Sequence, residues 1–220
     1  HYSEKLLLMN YFPMIYPKPF TKKKLSQDEL NKKNIYSCPQ TLFKIHPDFD
    51  QIIFNILEKD KKGIVYLIKD SNKVWYKKLI KRLSKNKKYD SKKIIFMDPL
   101  NYEDYLLHLG RSSVLLDPLF YGSGNSFFES MLFGTPTITF PTDYIKSRLV
   151  LGAYKQMEIE HPPVATSIKN YVDLAVSYAN RDDISALKNT YKTAAEKKLF
   201  NTKKAGEEFN IIINNLFNLT

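Results

Sequence analysis

The sequence predicts an α/β fold in which a parallel sheet is flanked by helices and followed by a helical C-terminal tail. From Ile35 onward, short apolar runs rich in β-branched residues alternate with longer amphipathic stretches, which is the pattern of βαβ units. The apolar runs are continuous rather than alternating, as is typical of strands that are covered on both faces. A chain of 220 residues can bury one full core, so we expect one compact, Rossmann-like unit.

The predicted strands span residues 35–38, 64–68, 94–97, 114–116 and 137–140. Apolar residues at helical spacing, with Pro47 and Asp48 as start signals, predict a helix over 49–58. A second helix over 74–83 repeats that spacing, and a third over 102–109 is predicted to stop at Gly110. Beyond Thr142 the chain is predicted to be mostly helical, with segments at 145–152, 170–180, 183–198 and 202–217.

Three regions follow from this pattern. Residues 1–33 carry three prolines and two lysine clusters without sustained periodicity, so we interpret them as a linker or the end of a preceding domain. Residues 34–180 form the predicted sheet domain. Residues 181–220 are predicted to be helices that pack on this domain or cross from it.

The composition argues against several classes of function. The net charge is +11, yet only four of the 34 basic residues are arginine, whereas base recognition favours the planar arginine fork, so nucleic acid is a disfavoured partner. Cys38 is the single cysteine and has no neighbours at metal-ligand spacing, so neither a disulfide nor a zinc cluster is expected. No run approaches the roughly 20 apolar residues of a membrane span. We therefore expect a cytoplasmic protein.

The sharpest local feature is a pair of glycines, Gly122 and Gly124, between a predicted strand and a predicted helix. Glycine permits a tight turn and close backbone approach to a ligand, and a helix start favours an anion such as a diphosphate. In an open α/β sheet, this position lies at the carboxyl ends of the strands, where ligands bind. A structural alternative is open at this point, because Ser126 and Glu129 have the spacing of a capping box that starts a helix without any ligand.

Six segments occur in a fixed order along the chain. They are YSEKL at 2–6, CPQTLFKIHPDFD at 38–50, IIFMDPLNYEDYL at 94–106, LLDPLFYGSGNSFFESMLFGTPTITFP at 115–141, HPPVA at 161–165 and LFNTK at 199–203. Together they resemble the C-terminal catalytic lobe of the O-GlcNAc-transferase-like glycosyltransferases. This resemblance implies the GT-B architecture, in which the C-terminal lobe holds the UDP-sugar and inversion proceeds without a metal.

The resemblance also implies roles for individual residues. Lys44 matches the essential lysine that contacts the UDP diphosphate, and we expect it to be catalytic. Near the diphosphate the family places an amide side chain where this chain has Gln40 and Thr41. The remaining donor-binding candidates are Tyr102 and Tyr105 near the uracil, Gly122, Ser123, Gly124, Asn125 and Ser126 at the diphosphate loop and helix start, and Glu129 at the ribose hydroxyls.

By this resemblance the chain is expected to be the donor-binding half of a metal-independent inverting glycosyltransferase. It would transfer GlcNAc or a hexose from a UDP-sugar to protein side chains, with no further cofactor. The alternatives are a GT-B transferase that acts on a glycan or a small molecule, and a non-catalytic nucleotide-sugar-binding domain. Because the family's N-terminal catalytic lobe, with upstream helical repeats in some members, completes the cleft, this chain alone is expected to be inactive.

Overall fold

The computed structural model describes residues 3–4, 6–12, 16–25, 34–201 and 203–217. Its centre is a five-stranded parallel sheet with the order β3-β2-β1-β4-β5. The strands are β1 (Ile35–Cys38), β2 (Ile64–Ile68), β3 (Ile94–Met97), β4 (Val114–Leu116) and β5 (Thr137–Ile138). The predicted α/β class is therefore confirmed.

Helices connect the strands and form the C-terminal part of the chain. Three shorter turns accompany them, of 3-10 type at Leu42–Lys44 and Ile145–Ser147 and of π type at Ala195–Leu199. The helices are α1 (Pro47–Lys59), α2 (Val74–Leu83), α3 (Tyr102–Arg111), α4 (Asn125–Ser130), α5 (Leu149–Gln156), α6 (Ile168–Ala179), α7 (Ile184–Ala194) and α8 (Lys203–Phe217).

The two faces of β1 show why the sheet needs helices on both sides. Tyr36 and Cys38 point into the main apolar core, which they share with α1, α2 and α6. Ser37 points to the other face, where His108 of α3 lies with its Nε2 2.8 Å from the serine Oγ. Successive side chains of a strand alternate between faces, so both faces of this central strand are buried. Burial also lowers the pKa of His108 to about 4, which keeps its imidazole neutral at pH 7.

Several predicted boundaries are wrong. The segment predicted as a helix over 145–152 is a 3-10 turn at Ile145–Ser147 followed by α5, which ends only at Gln156. The third helix does not stop at Gly110 but continues to Arg111, and Ser112 follows it in an extended conformation. A Cβ on Gly110 would lie 2.6 Å from Leu25 and 2.7 Å from Phe133, so this glycine permits close packing rather than a helix end. The last strand ends at Ile138 instead of residue 140, because the next residue forms only an isolated bridge with Val164.

The helical C-terminal part packs around a second apolar cluster formed with α4, α5 and α7. Phe127 meets Tyr154 edge to face, and Tyr154 meets Tyr191 in the same way. The described part of the N-terminal segment lies against this region, since Asn10 bonds to Glu208 of α8 through its backbone and its side chain. The proposed domain boundaries stay a prediction, and the YSEKL segment lies only partly within the described residues.

Among the described residues, no helix combines the length and the apolar character that crossing a membrane requires.

Candidate functional site

The candidate site lies at the topological switch point of the sheet, between β1 and β4, where the strand order reverses. From β1 the chain moves outward through β2 and β3, and it then returns to pair β4 with the other side of β1. The loops that follow β1 and β4 therefore leave the same edge of the sheet side by side, which is the usual ligand position in open α/β folds. Lys44 follows β1 and the Gly122–Ser126 loop follows β4, so two segments 78 residues apart meet here.

Lys44 reaches across this junction. Its Nζ donates to Oε1 of Gln40 at 2.9 Å and to the backbone oxygen of Gly122 at 3.2 Å. The ammonium also lies 4.4 Å from the ring centre of Tyr121, in cation–π contact. Burial lowers the pKa of Lys44, and the nearby charge of Asp117 opposes that shift. The site thus holds a half-buried cation whose present acceptors are neutral oxygens.

Gln40 ties the β1 loop to the β4 loop. Its Nε2 donates to Oγ of Ser123 at 3.1 Å and to Oγ of Ser126. Ser126 therefore does not cap the helix, since α4 begins at Asn125 and its N-cap residue, Gly124, makes no side-chain capping bond. The capping-box alternative is wrong, and the serine faces the junction instead.

Asp117 is buried beneath the Gly122–Ser126 loop and holds it by hydrogen bonds. It was not among the predicted site residues. It is 2% exposed, and its carboxylate accepts from the backbone N–H of Ser123 and, at 2.6 Å, from Oγ1 of Thr139. Burial raises the pKa of this carboxyl to about 6, against the hydrogen bonds and the charge of Lys44, which lower it. Its position directly after a buried strand, beside the glycines, is the sequence signal that could have identified it.

The carboxylate explains why residue 122 is glycine. A Cβ on Gly122 would lie 2.9 Å from Oδ2 and 3.0 Å from Oδ1 of Asp117, so any side chain would displace the support of the loop. Gly124 has more room, because its nearest neighbour would be Leu149 at 3.9 Å. The two glycines therefore differ, and only the first is required by packing.

A second cluster surrounds Glu129 at the other side of the loop. Its Oε2 accepts from the hydroxyl of Tyr105 at 3.1 Å, and the ring of Tyr102 stacks on that of Tyr105 at 6.5 Å. Burial and the carboxylate raise the pKa of Tyr105 and Tyr16, which keeps both phenols protonated hydrogen-bond donors. Glu129 is only partly buried, so the cluster presents a hydrogen-bond acceptor about one turn beyond the start of α4.

Several candidates lie apart from this network. Thr41 and Asn125 are exposed, and the Thr41 side chain does not cap the turn that follows it. Of the described histidines, two are exposed, and neither extends the Lys44 network. His46 accepts from the backbone N–H of Asp48 at the start of α1, and His161 lies near Glu160. Within the described ranges, no three His, Cys, Asp or Glu side chains are grouped to hold a metal ion.

The arrangement is suited to binding an anion with an attached polar group. Lys44 supplies a cation, and the positive end of α4 faces the same loop. Gln40, Ser123 and Ser126 supply neutral hydrogen-bonding groups, and Glu129 can accept from hydroxyls. The roles predicted for these residues stay predictions, while their positions around one loop are observed.

Comparison with solved structures identifies the architecture. An O-GlcNAc transferase mutant from Thermobaculum terrenum superposes on 93% of this chain and 37% of its own, with a TM-score of 0.71 and 16% identity. TarM of S. aureus, solved with Fondaparinux, alpha-GlcNAc-glycerol and UDP, matches 89% of this chain and 38% of its own (TM-score 0.61, 15% identity). The chain spans well under half the length of either protein.

A third neighbour is itself a single domain. The C-terminal CMP-Kdo binding domain of WaaA from Acinetobacter baumannii matches 76% of this chain and 91% of its own, with a TM-score of 0.51 and 13% identity. At these identities the likenesses establish the fold, a Rossmann-like lobe of the GT-B type. Comparison with curated protein sequences gives no match.

The family follows from the sequence itself. The model described as glycosyl transferase family 41 matches residues 20–209, which include all five strands, both loops of the candidate site and the first half of α8. The chain therefore belongs to glycosyl transferase family 41.

Proposed function

We propose that this chain binds the donor of a glycosyl transfer reaction, a UDP-sugar carrying GlcNAc or a hexose. The observation that carries the proposal is the half-buried Lys44, held between Gln40 and the Gly122 backbone at the reversal point of the sheet. Family membership supports the reaction class. UDP in the TarM structure supports the nucleotide, and the CMP-Kdo binding domain supports a nucleotide-sugar in this lobe.

The diphosphate is the part of the donor that this loop suits best. Lys44 would exchange two neutral oxygen partners for phosphate oxygens, so that its ammonium would face an opposite charge, and hydrogen bonds between a lysine and a phosphate are among the strong ones. In the transition state of transfer, negative charge grows on the leaving diphosphate. A fixed cation beside the diphosphate oxygens stabilises the transition state more than the ground state. Lys44 would act as a catalytic residue in this way.

The same proposal assigns the other contacts. Glu129 would accept from the ribose hydroxyls, Tyr102 and Tyr105 would flank the uracil, and the backbone at Asn125 and Ser126 would face the diphosphate. We further propose an inverting reaction that needs no metal, because a protein cation meets the charge of the leaving group. A cytoplasmic location is part of the proposal, since the only thiol, Cys38, is buried and unpaired.

For the acceptor, we propose side chains of proteins, in line with the O-GlcNAc transferase neighbour. A glycan or small-molecule acceptor is the second candidate, and the alpha-GlcNAc-glycerol in the TarM structure favours it. Because the chain spans 37% of the first neighbour, we propose that transfer requires a second catalytic lobe, with or without helical repeats. The chain alone would then bind donor without turnover.

Calorimetric titration of the 220-residue chain tests the donor site. We expect heat with UDP, UDP-GlcNAc or UDP-glucose, and the same affinity with EDTA as with Mg²⁺. A folded chain that gives no heat with any of these nucleotides would contradict the proposal. An affinity that disappears with EDTA would contradict the metal-independent part alone.

Substitution of Lys44 tests the residue that carries the proposal. Lys44→Ala should weaken UDP binding by about 10- to 100-fold, because a hydrogen bond to a charged group contributes about 1.5–3 kcal/mol. Lys203→Ala is the matched control, since its side chain is 84% exposed in α8. Equal UDP affinities for the two variants would contradict a contact between Lys44 and the nucleotide.

A further inference from the structure

An exposed aromatic surface borders the candidate donor site on the same edge of the sheet. Its aromatic members lie after four different strands: Phe43 after β1, Trp75 after β2, Tyr121 after β4 and Tyr144 after β5. Their exposed fractions are 52%, 42%, 45% and 60%, and the exposed Ile145 adjoins them. We call these five residues the aromatic edge. Exposed apolar clusters of this kind are unusual on a protein surface and mark binding sites.

Three rings of the aromatic edge form a row that begins at the donor site, and Tyr144 is connected to it through Lys146. Lys44 lies over Tyr121, Tyr121 meets Phe43 at 6.5 Å between ring centres, and Phe43 meets Trp75 at 6.0 Å. An extended polypeptide rises about 3.3 Å per residue, so side chains on one of its faces repeat about every 6.6 Å. The ring spacing therefore matches alternate side chains of an extended peptide.

Lysines border the row of rings and determine which charge a bound partner should carry. Lys78 lies 4.7 Å from the ring centre of Trp75, and Lys146 lies 5.3 Å from that of Tyr121 and 5.7 Å from that of Tyr144. Neither lysine forms an ion pair with any residue in the described ranges. These ammonium groups occupy ring faces on which a sugar would stack, and they complement carboxylates. Both features favour an acidic peptide over a neutral glycan.

We propose that the aromatic edge docks an extended segment of the acceptor polypeptide, with apolar side chains at alternate positions and acidic residues toward Lys78 and Lys146. This inference rests on the proposed function, because the surface leads directly to the lysine assigned to the diphosphate. It names the acceptor class through contacts that lie outside the donor site. The acceptor would be selected by the pattern of its sequence around the modified residue.

A labelled peptide tests the docking surface on the 220-residue chain. The probe is a fluorescein-labelled decapeptide in which leucine alternates with serine over eight residues and two aspartates follow. We expect saturable anisotropy, weaker binding at higher salt, and a change in the emission of Trp75, which is the only tryptophan of the chain. A peptide of the same composition with consecutive leucines should bind at least fivefold more weakly.

Variants locate the binding. Phe43→Ser or Trp75→Ser should weaken binding of the alternating peptide by about tenfold or more, because aromatic residues at the centre of an interface contribute much of its affinity. Lys78→Glu should weaken it severalfold. The controls are Phe217→Ser and Lys203→Glu on α8, where the phenylalanine is 67% exposed. Equal peptide affinity in the wild type and the Phe43 and Trp75 variants would overturn the proposal.

Two further results would also overturn the docking proposal. Displacement of the peptide by maltoheptaose would indicate that the aromatic edge binds glycans. Loss of peptide binding when the chain dimerises, with dimerisation measured by sedimentation, would indicate that a second copy covers the edge. Trp75→Ser should keep the wild-type heat with UDP. Absence of UDP binding in the wild type, with peptide binding intact, would contradict the donor proposal and leave the docking surface standing.

Discussion

Replacing Asp117 by asparagine should change how the stability of the protein depends on pH. The carboxyl is buried, and its pKa in the folded protein is about 6, compared with an ordinary value of 3.8. Because the folded state holds this proton more tightly than the unfolded chain does, wild-type stability gains a contribution as the pH falls through 6. The difference of about 2 pKa units corresponds to about 3 kcal/mol when the titration is complete.

Most of this contribution lies in an accessible range. Between pH 7.5 and pH 4.5 the expected gain is about 2 kcal/mol. Asparagine keeps the shape of the side chain, can accept from the Ser123 backbone and can donate to Thr139, but it does not titrate. The unfolding free energy of wild type minus that of Asp117→Asn should therefore rise by about 2 kcal/mol from pH 7.5 to pH 4.5.

Urea unfolding followed by circular dichroism at several pH values measures this difference directly. Other carboxylates titrate in both proteins, and their contributions cancel in the subtraction. The exposed Asp182 provides a control, since Asp182→Asn should leave the difference from wild type nearly constant. A constant difference for Asp117→Asn, or one that falls toward low pH, would refute the argument that burial dominates at this carboxyl.

Four further substitutions test contacts within the site and outside it. Gly122→Ala should lower the unfolding free energy by about 1–3 kcal/mol and weaken UDP binding in calorimetry, whereas Gly206→Ala, with no heavy atom within 4 Å of the new Cβ, should stabilise α8 by about 0.5–1 kcal/mol. Gly134→Ala should cost about 3 kcal/mol or more in urea unfolding, because φ is +68° and the Cβ would lie 1.8 Å from a carbonyl oxygen of α7. Tyr105→Phe removes the 3.1 Å bond to Glu129 and should cost about 1 kcal/mol, and an unchanged midpoint would contradict that bond.

The local pattern of the chain was enough to predict its secondary structure and class. Continuous β-branched runs identified all five strands, and helical spacing identified α1, α2 and the C-terminal helices, since both depend on neighbours a few residues apart. The ordered segments indicated the O-GlcNAc-transferase-like glycosyltransferases, and the match to glycosyl transferase family 41 confirms that resemblance. The glycines beside β4 also indicated the correct edge of the sheet.

What local pattern could not predict was which distant side chains meet. Ser126 has the spacing of a capping box, yet it bonds to Gln40, 86 residues away. Gly110 resembles a helix stop, yet it is required by contact with Leu25 and Phe133.

The sequence by itself determined the strands, the helices, the family and the segment that carries the candidate diphosphate loop. Only the tertiary structure decided the burial of Asp117 under that loop and the alignment of Phe43, Trp75 and Tyr121 in one row. The physical reason is the parallel sheet. Its register brings together, at one edge, the ends of strands that are far apart in the sequence. Contacts made at that edge produce no periodic pattern in the sequence.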